Sequence, residues 1–126
     1  MSRSADDLVA AARGRIARVQ PSELDDFVGA DGLVVDIRPA AQRADEGELP
    51  GALVIERNVL EWRLDPHGAH RIAELSGFDQ PVVVVCSEGY ASSLAAASLA
   101  ELGLRRVADL AGGYRAWARW SGRHPA

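Results

Sequence analysis

One short run of the sequence combines a nucleophilic side chain with small and polar neighbours. It consists of Cys86, Ser87, Glu88, Gly89, Tyr90, Ala91 and Ser92. A cysteine thiolate is a strong nucleophile, and hydrogen-bond donors or positive charge around it favour the thiolate over the thiol. The run therefore indicates a candidate site for covalent chemistry at Cys86.

The segments on either side place Cys86 where parallel sheets bind their ligands. Residues 81–85 (PVVVV) are typical of a buried central strand, and residues 92–103 (SSLAAASLAELG) predict a helix with serines as the N-cap. Ligands of open parallel sheets lie beyond the carboxyl ends of strands, and a helix N-terminus attracts anions. Gly89 suits a loop that curls around a small anion. A free cysteine ending an apolar strand can also be a small buried hydrophobic residue, so position alone leaves both interpretations open.

The remaining elements alternate between helix and strand. Apolar periodicity predicts helices over residues 4–17, 21–29 and 39–45, strands over residues 32–36, 52–55 and 107–110, and a last helix that follows Gly112-Gly113 and contains Tyr114, Trp117 and Trp120. A strand that is apolar on both faces needs layers on both sides. The pattern predicts an α/β domain with a parallel sheet.

Composition sets further limits. The chain has 126 residues, enough for one domain, and a net charge of −4 without a basic stretch, which gives no reason to expect nucleic-acid binding. The first twelve residues include Arg3, Asp6 and Asp7 and do not resemble a signal peptide or membrane span, so we expect a cytoplasmic protein without a membrane partner. A lone cysteine also excludes an internal disulfide and an internal resolving thiol.

Several charged residues follow predicted strands. Arg38 follows the strand that ends in Asp36, and Arg57 and Arg63 follow the next one, so all three arginines are candidates for pairing with an anionic donor or with surface acids. Asp36 is expected to brace loops by accepting backbone hydrogen bonds. The three histidines have no partners at metal-ligand spacing, so we predict no metal site; they are His67, His70 and His124.

Three further segments resemble motifs of the rhodanese-like family. They are VVDIR at residues 34–38, LPGA at residues 49–52 and LAGGYRAW at residues 110–117, in the family's order and spacing around Cys86. The resemblance covers residues 19–124. It implies a five-stranded parallel sheet with helices on both faces, formed by residues 16–126, and leaves residues 1–15 as an N-terminal helical extension.

The resemblance also implies a reaction. A six-residue loop from Cys86 to Ala91, with Ser92 after it, would bind the substrate, and Cys86 would carry sulfane sulfur as a persulfide. Sulfur would pass from a small donor to an external thiol, cyanide or protein acceptor, with no metal or organic cofactor. A non-catalytic persulfide-binding or regulatory module that acts through a protein partner is the alternative.

The sequence departs from the family pattern at two positions. At Glu88, thiosulfate-using members often have basic or neutral residues, and at Glu48 members often have histidine. The carboxylate of Glu88 would repel thiosulfate, so its use as donor is left open; Glu88 could instead select neutral or cationic donors, meet a basic partner, or point into water. Cysteine phosphatases of related fold place an arginine where this chain has Ser92, which disfavours phosphatase chemistry.

Overall fold

The computed structural model describes residues 2–122, which form a five-stranded parallel sheet and six α-helices. The strands are β1 (Ala17–Val19), β2 (Leu33–Asp36), β3 (Leu53–Val54), β4 (Val82–Val85) and β5 (Val107–Leu110). The helices are α1 (Ala5–Arg13), α2 (Leu24–Val28), α3 (Ala40–Glu46), α4 (Leu60–Arg63), α5 (Ala91–Leu102) and α6 (Gly113–Ser121), and 3-10 turns at Pro21–Glu23 and Arg57–Val59 lead into α2 and α4. The predicted surface residue His124 lies outside the described range.

The strand order is β1-β5-β4-β2-β3, and every pair is parallel. The predicted fold class is confirmed, and β4 is the central strand. Successive side chains of a strand point to opposite faces. Val82 and Val84 accordingly enter the core below α4 and α5, whereas Val83 and Val85 enter a second core below α2 and α6. All four valines are fully buried, which explains the unbroken apolar run.

The structure differs from the predicted elements at both edges of the sheet. The helix predicted over residues 4–17 ends at Arg13, and residues 17–19 form the edge strand β1 beside β5. A three-residue strand with an arginine at its centre has too little apolar pattern to be recognised. At the other edge, β3 contains only Leu53 and Val54.

The N-terminal helix α1 is capped at its start and packs against α5. Its first turn has a capping box, in which the Ser4 hydroxyl accepts from the Asp7 N–H and the Asp7 carboxylate accepts from the Ser4 N–H, each at 3.0 Å. Its inner face buries Val9 and Ala12, and α1 packs along α5. The domain boundary at residue 15 stays a prediction. None of the helices in residues 2–122 combines the length and the apolar character that a membrane span requires.

Candidate active site

Cys86 lies at the carboxyl end of the central strand and beneath the start of α5. Its side chain is 7% exposed, and its sulfur accepts hydrogen bonds from the N–H groups of Gly89 (3.1 Å) and Ser92 (3.3 Å). The Ser92 N–H belongs to the first turn of α5, whose N–H groups have no partner within the helix. These donors and the positive end of the helix dipole favour an anionic sulfur.

The loop from residue 86 to residue 91 turns sharply at Gly89, where φ is +87°. A Cβ atom there would lie 2.8 Å from the Gly112 nitrogen and 3.2 Å from the Arg18 guanidinium. Both the backbone conformation and the close approach therefore require glycine at this position. The turn brings the Gly89 N–H back to the sulfur.

The start of α6 holds the loop through its backbone. The N–H of Tyr114 donates to the carbonyl of Cys86 (2.8 Å), and the N–H of Arg115 donates to the carbonyl of Ser87 (3.1 Å). Gly113 has φ of +65°, and a Cβ atom there would lie 2.5 Å from the Cys86 oxygen. The Gly-Gly pair thus permits helix and loop to touch, and it directs two loop carbonyls away from the sulfur.

A buried carboxylate on β5 lies behind the loop. Asp109 is fully buried and accepts from the hydroxyls of Ser92 and Ser93 (2.8 Å each) and from Nε of Arg18 (2.9 Å). The pairing of β1 with β5 sets Arg18 directly opposite Asp109. The predicted serine N-cap of α5 is wrong, because Tyr90 occupies the N-cap position and the two hydroxyls are directed at this carboxylate instead.

A second acid, Glu46 at the end of α3, lies on the other side of the loop. It accepts from the hydroxyl of Ser87 (2.5 Å), from Nε of Arg115 (3.0 Å) and from the guanidinium of Arg38 (3.1 Å). Burial alone would raise the pKa of Glu46, but the hydrogen bonds from Ser87, Arg115 and Arg38 outweigh burial and lower it. The Glu46 carboxylate therefore fixes the start of the loop by accepting the hydrogen bond from Ser87.

Asp36 and Arg38 form a buried pair that supports Glu46. The Asp36 carboxylate accepts from the Arg38 backbone N–H (3.0 Å) and guanidinium (2.8 Å), and the guanidinium also lies 4.1 Å from the centre of the Tyr114 ring. Burial would lower the pKa of Arg38, but its bonds with Asp36 and Glu46 raise it. Asp36 thus accepts a backbone hydrogen bond, and the Arg38 guanidinium binds the carboxylates of Asp36 and Glu46.

Arg57 and Arg63 are not brought to the loop. Arg57 pairs with Glu61 at 2.9 Å, one helical turn away, and Arg63 donates to the His70 carbonyl at 2.6 Å. Arg57 lines a cleft with Ile37 beside β3, and Arg63 lines a different one. Any role of these two arginines toward an anionic donor stays a prediction.

Two side chains of the loop point into solvent. Glu88 is 61% exposed, with Arg115 3.9 Å away, and Tyr90 is 56% exposed, with the Arg13 guanidinium 5.3 Å from its ring centre. Among the interpretations left open for Glu88, an outward orientation agrees with the structure.

Sequence reasoning missed five charged residues around the loop, which are Arg13, Arg18, Glu46, Asp109 and Arg115. An acid inside the apolar strand VADL was an available signal, because a buried carboxylate requires donors.

Of the tryptophans, Trp117 is half-buried beside Tyr114, with ring centres 5.8 Å apart, whereas Trp62 and Trp120 are exposed. Among residues 2–122, no group of three metal-ligating side chains is present.

Comparison with known proteins identifies this architecture. The family model of the rhodanese-like domain matches residues 20–119. The chain belongs to the rhodanese-like family. A relative, thiosulfate sulfurtransferase GlpE of Pseudoalteromonas translucida, is 34% identical over 89 residues, covering 69% of this chain and 73% of its own length. A sulfurtransferase of Allochromatium vinosum is 37% identical over 89 residues, covering 71% of this chain and 74% of its own length.

Two solved structures are also similar. Human single-domain sulfurtransferase TSTD1 superposes with a TM-score of 0.68 at 27% identity and covers 81% of this chain and 95% of its own. A protein of unknown function from Rhodopseudomonas palustris, called a possible tyrosine phosphatase, gives a TM-score of 0.84 at 28% identity and covers 99% and 95%. The prediction of a rhodanese-type enzyme agrees with the named sulfurtransferases.

The contact between α6 and the loop can be tested with two glycine substitutions. Gly113→Ala should lower the free energy of unfolding by more than about 2 kcal/mol, because it combines positive φ with a clash against the loop. Gly122→Ala is the matched control, since Gly122 has φ of +80° but nothing within 4 Å of its Cβ position. Urea unfolding of both variants measures the difference, and equal losses would contradict a tight contact.

The lowered pKa of Glu46 predicts an acid-sensitive contribution to stability. A carboxyl group whose pKa is lowered by folding stabilises the protein above its unfolded pKa, and this contribution disappears as the pH falls through the folded value. Glu46→Gln should therefore be less stable than the parent at about pH 7 and lose less stability on going to about pH 3. Urea unfolding at both pH values tests this, with exposed Glu101→Gln as the control; parallel curves for parent and Glu46→Gln would contradict it.

Proposed function

We propose that this chain is a sulfurtransferase that carries sulfane sulfur as a persulfide on Cys86. The observation that carries the proposal is the sulfur itself, which lies at the end of the central strand and accepts one backbone N–H bond from its own loop and one from the first turn of α5. The same donors that favour a thiolate also favour a persulfide anion. The names of two relatives, both sulfurtransferases, support this chemistry.

The proposed reaction has two half-steps. The Cys86 thiolate attacks the sulfane sulfur of a small donor, the donor's bond to that sulfur breaks, and the remainder leaves with the electron pair; from thiosulfate the leaving group is sulfite. A nucleophilic acceptor, either cyanide or a thiolate, then attacks the outer sulfur and releases the Cys86 thiolate. The sequence is ping-pong, and neither half-step needs an oxidant, a metal or an organic cofactor.

The acceptor comes from outside the chain. Cys86 is the single cysteine, so no second thiol of the same chain can receive the sulfur. The exposed Glu88 and Tyr90 frame the loop on its solvent side, where a small thiol or the thiol of a protein acceptor would approach. Sulfur therefore leaves this chain by an intermolecular step.

The similar protein called a possible tyrosine phosphatase makes phosphate transfer the competing reaction. A phosphatase loop needs a cation to clamp the phosphoryl oxygens as charge develops. Here the corresponding position is Ser92, and its hydroxyl donates to the Asp109 carboxylate. This arrangement disfavours a phosphoryl group in the loop.

The first experiment is intact mass spectrometry of the protein after incubation with thiosulfate, 3-mercaptopyruvate or a cysteine persulfide. We expect the parent to gain one sulfur atom that cyanide removes as thiocyanate, and the Cys86→Ser variant to gain none, since the persulfide needs this sulfur. Repeated turnover indicates an enzyme, whereas one modification without turnover indicates the persulfide-binding module. Lack of an adduct with any donor would refute the persulfide proposal, and hydrolysis of an aryl phosphate would favour the phosphatase.

The charge of Glu88 is expected to oppose thiosulfate. Glu88→Gln should lower the KM for thiosulfate by about twofold to threefold at low ionic strength, with kcat unchanged, because an exposed carboxylate acts on a charged donor mainly through screened repulsion. The effect should shrink as salt is added. Glu101→Gln, whose carboxylate is also exposed but lies near the far end of α5, is the control. A KM that does not change at low salt would contradict the prediction.

A further inference from the structure

The carbonyl oxygen of Gly89 accepts two charged hydrogen bonds. The donors are the guanidinium groups of Arg13 (2.8 Å) and Arg18 (2.9 Å). A carbonyl oxygen has two lone pairs, so these two donors saturate it, and charge-assisted hydrogen bonds are stronger than neutral ones. The Ser93 hydroxyl lies 3.3 Å from the same oxygen, but its single proton is directed at Asp109 (2.8 Å).

Both arginines are themselves held in place. Nε of Arg13 donates to the Ser93 hydroxyl (3.1 Å), and Nε of Arg18 donates to the buried Asp109 carboxylate (2.9 Å). Arg13 is the last residue of α1, and Arg18 is the middle residue of β1. Neither belongs to residues 20–119, which match the family model, so the N-terminal segment supplies both contacts to the loop.

The bonds to this carbonyl fix the orientation of the loop backbone. A trans peptide is planar, and its C=O and N–H point in opposite directions. With the Gly89 oxygen held by the arginines, the Tyr90 N–H of the same peptide points away from both guanidinium groups. The preceding N–H, that of Gly89 itself, donates to the Cys86 sulfur at 3.1 Å.

Glycine makes this orientation easy to lose. Gly89 has no Cβ to resist rotation of the peptide that follows it, so the bonds to its carbonyl supply the restraint that a side chain would supply elsewhere. A rotated peptide would turn a carbonyl oxygen toward the inside of the loop. Its partial negative charge would then repel an anionic sulfur.

We infer that Arg13 and Arg18 are positioning residues of the sulfur site, which hold the Gly89 carbonyl on the outside of the loop and so keep its partial negative charge away from Cys86. The inference rests on the proposed function for its meaning in catalysis. The N-terminal segment thereby becomes part of the site, because helix α1 and strand β1 each place a guanidinium group on the Gly89 oxygen.

The test compares Arg13→Gln and Arg18→Gln with the parent protein. The first measurement is the rate of Cys86 alkylation by iodoacetamide as a function of pH, and the second is kcat and KM with thiosulfate and cyanide. Loss of one charge-assisted bond should slow alkylation near neutral pH by about threefold to tenfold, with convergence of the rates at high pH. We expect kcat to fall by a similar factor while the KM for thiosulfate changes little.

Two further variants separate hydrogen bonding from charge and folding. Arg15→Gln is the control, because Arg15 lies on the same segment and pairs only loosely with Glu101, at 3.8 Å. Arg13→Lys should recover part of the lost rate, because an ammonium group can still donate to the carbonyl. Thermal unfolding of each variant shows that the assays are made on folded protein. Since Asp109 retains both serines in Arg18→Gln and all its partners in Arg13→Gln, we expect both to fold.

The outcomes distinguish this inference from the proposed reaction. If Arg13→Gln and Arg18→Gln alkylate as the parent does, or if Arg15→Gln slows alkylation equally, the positioning role is overturned even when sulfur transfer is intact. A change confined to the unfolding temperature overturns it as well. If the parent transfers no sulfur but the two variants still shift the alkylation profile, the positioning role holds and the proposed reaction falls.

Discussion

A carboxylate buried without water must be surrounded by donors, and this requirement at Asp109 organises the structure around the loop. The acid is fully buried on β5, and its partners come from two other elements: Arg18 on β1, and Ser92 and Ser93 at the start of α5. The charge therefore links the edge strand, the neighbouring strand and the helix whose N-terminus faces Cys86. Removing the carboxylate would leave Arg18 and two hydroxyls without their common acceptor, at a cost comparable to that of several hydrogen bonds.

Three carbonyl oxygens of the loop are bonded to groups outside it, and the sulfur accepts from N–H groups of the loop and of α5. The carbonyls of Cys86 and Ser87 bond to the start of α6, and the carbonyl of Gly89 bonds to two arginines. The N–H groups of Gly89 and Ser92 are left for the sulfur. Local electrostatics thus arise from backbone dipoles fixed in advance, which stabilise an anion without reorganisation when it forms.

The sequence predicts the parts of this arrangement that have a local signature. The buried run at residues 82–85, the helix after the loop and the Gly112-Gly113 pair each follow from composition and spacing, and they place Cys86 correctly at the end of the central strand. The contacts of Arg13, Arg18 and Glu46 could not be predicted, because the hydrogen bonds join residues 41 to 91 positions apart in the chain. Ser92 shows the limit clearly: its type suits an N-cap, but the tertiary acceptor at Asp109 takes its hydroxyl.

The strand β1 has a consequence for any attempt to isolate the family domain alone. It is the outermost strand beside β5, and it covers the backbone donors and acceptors that β5 would otherwise present to solvent. A fragment beginning at residue 20 would expose this edge as a template for pairing with strands of other molecules. The short N-terminal segment therefore replaces the apolar edge of β5 with a three-residue edge that carries an arginine, which is a poorer template for self-association.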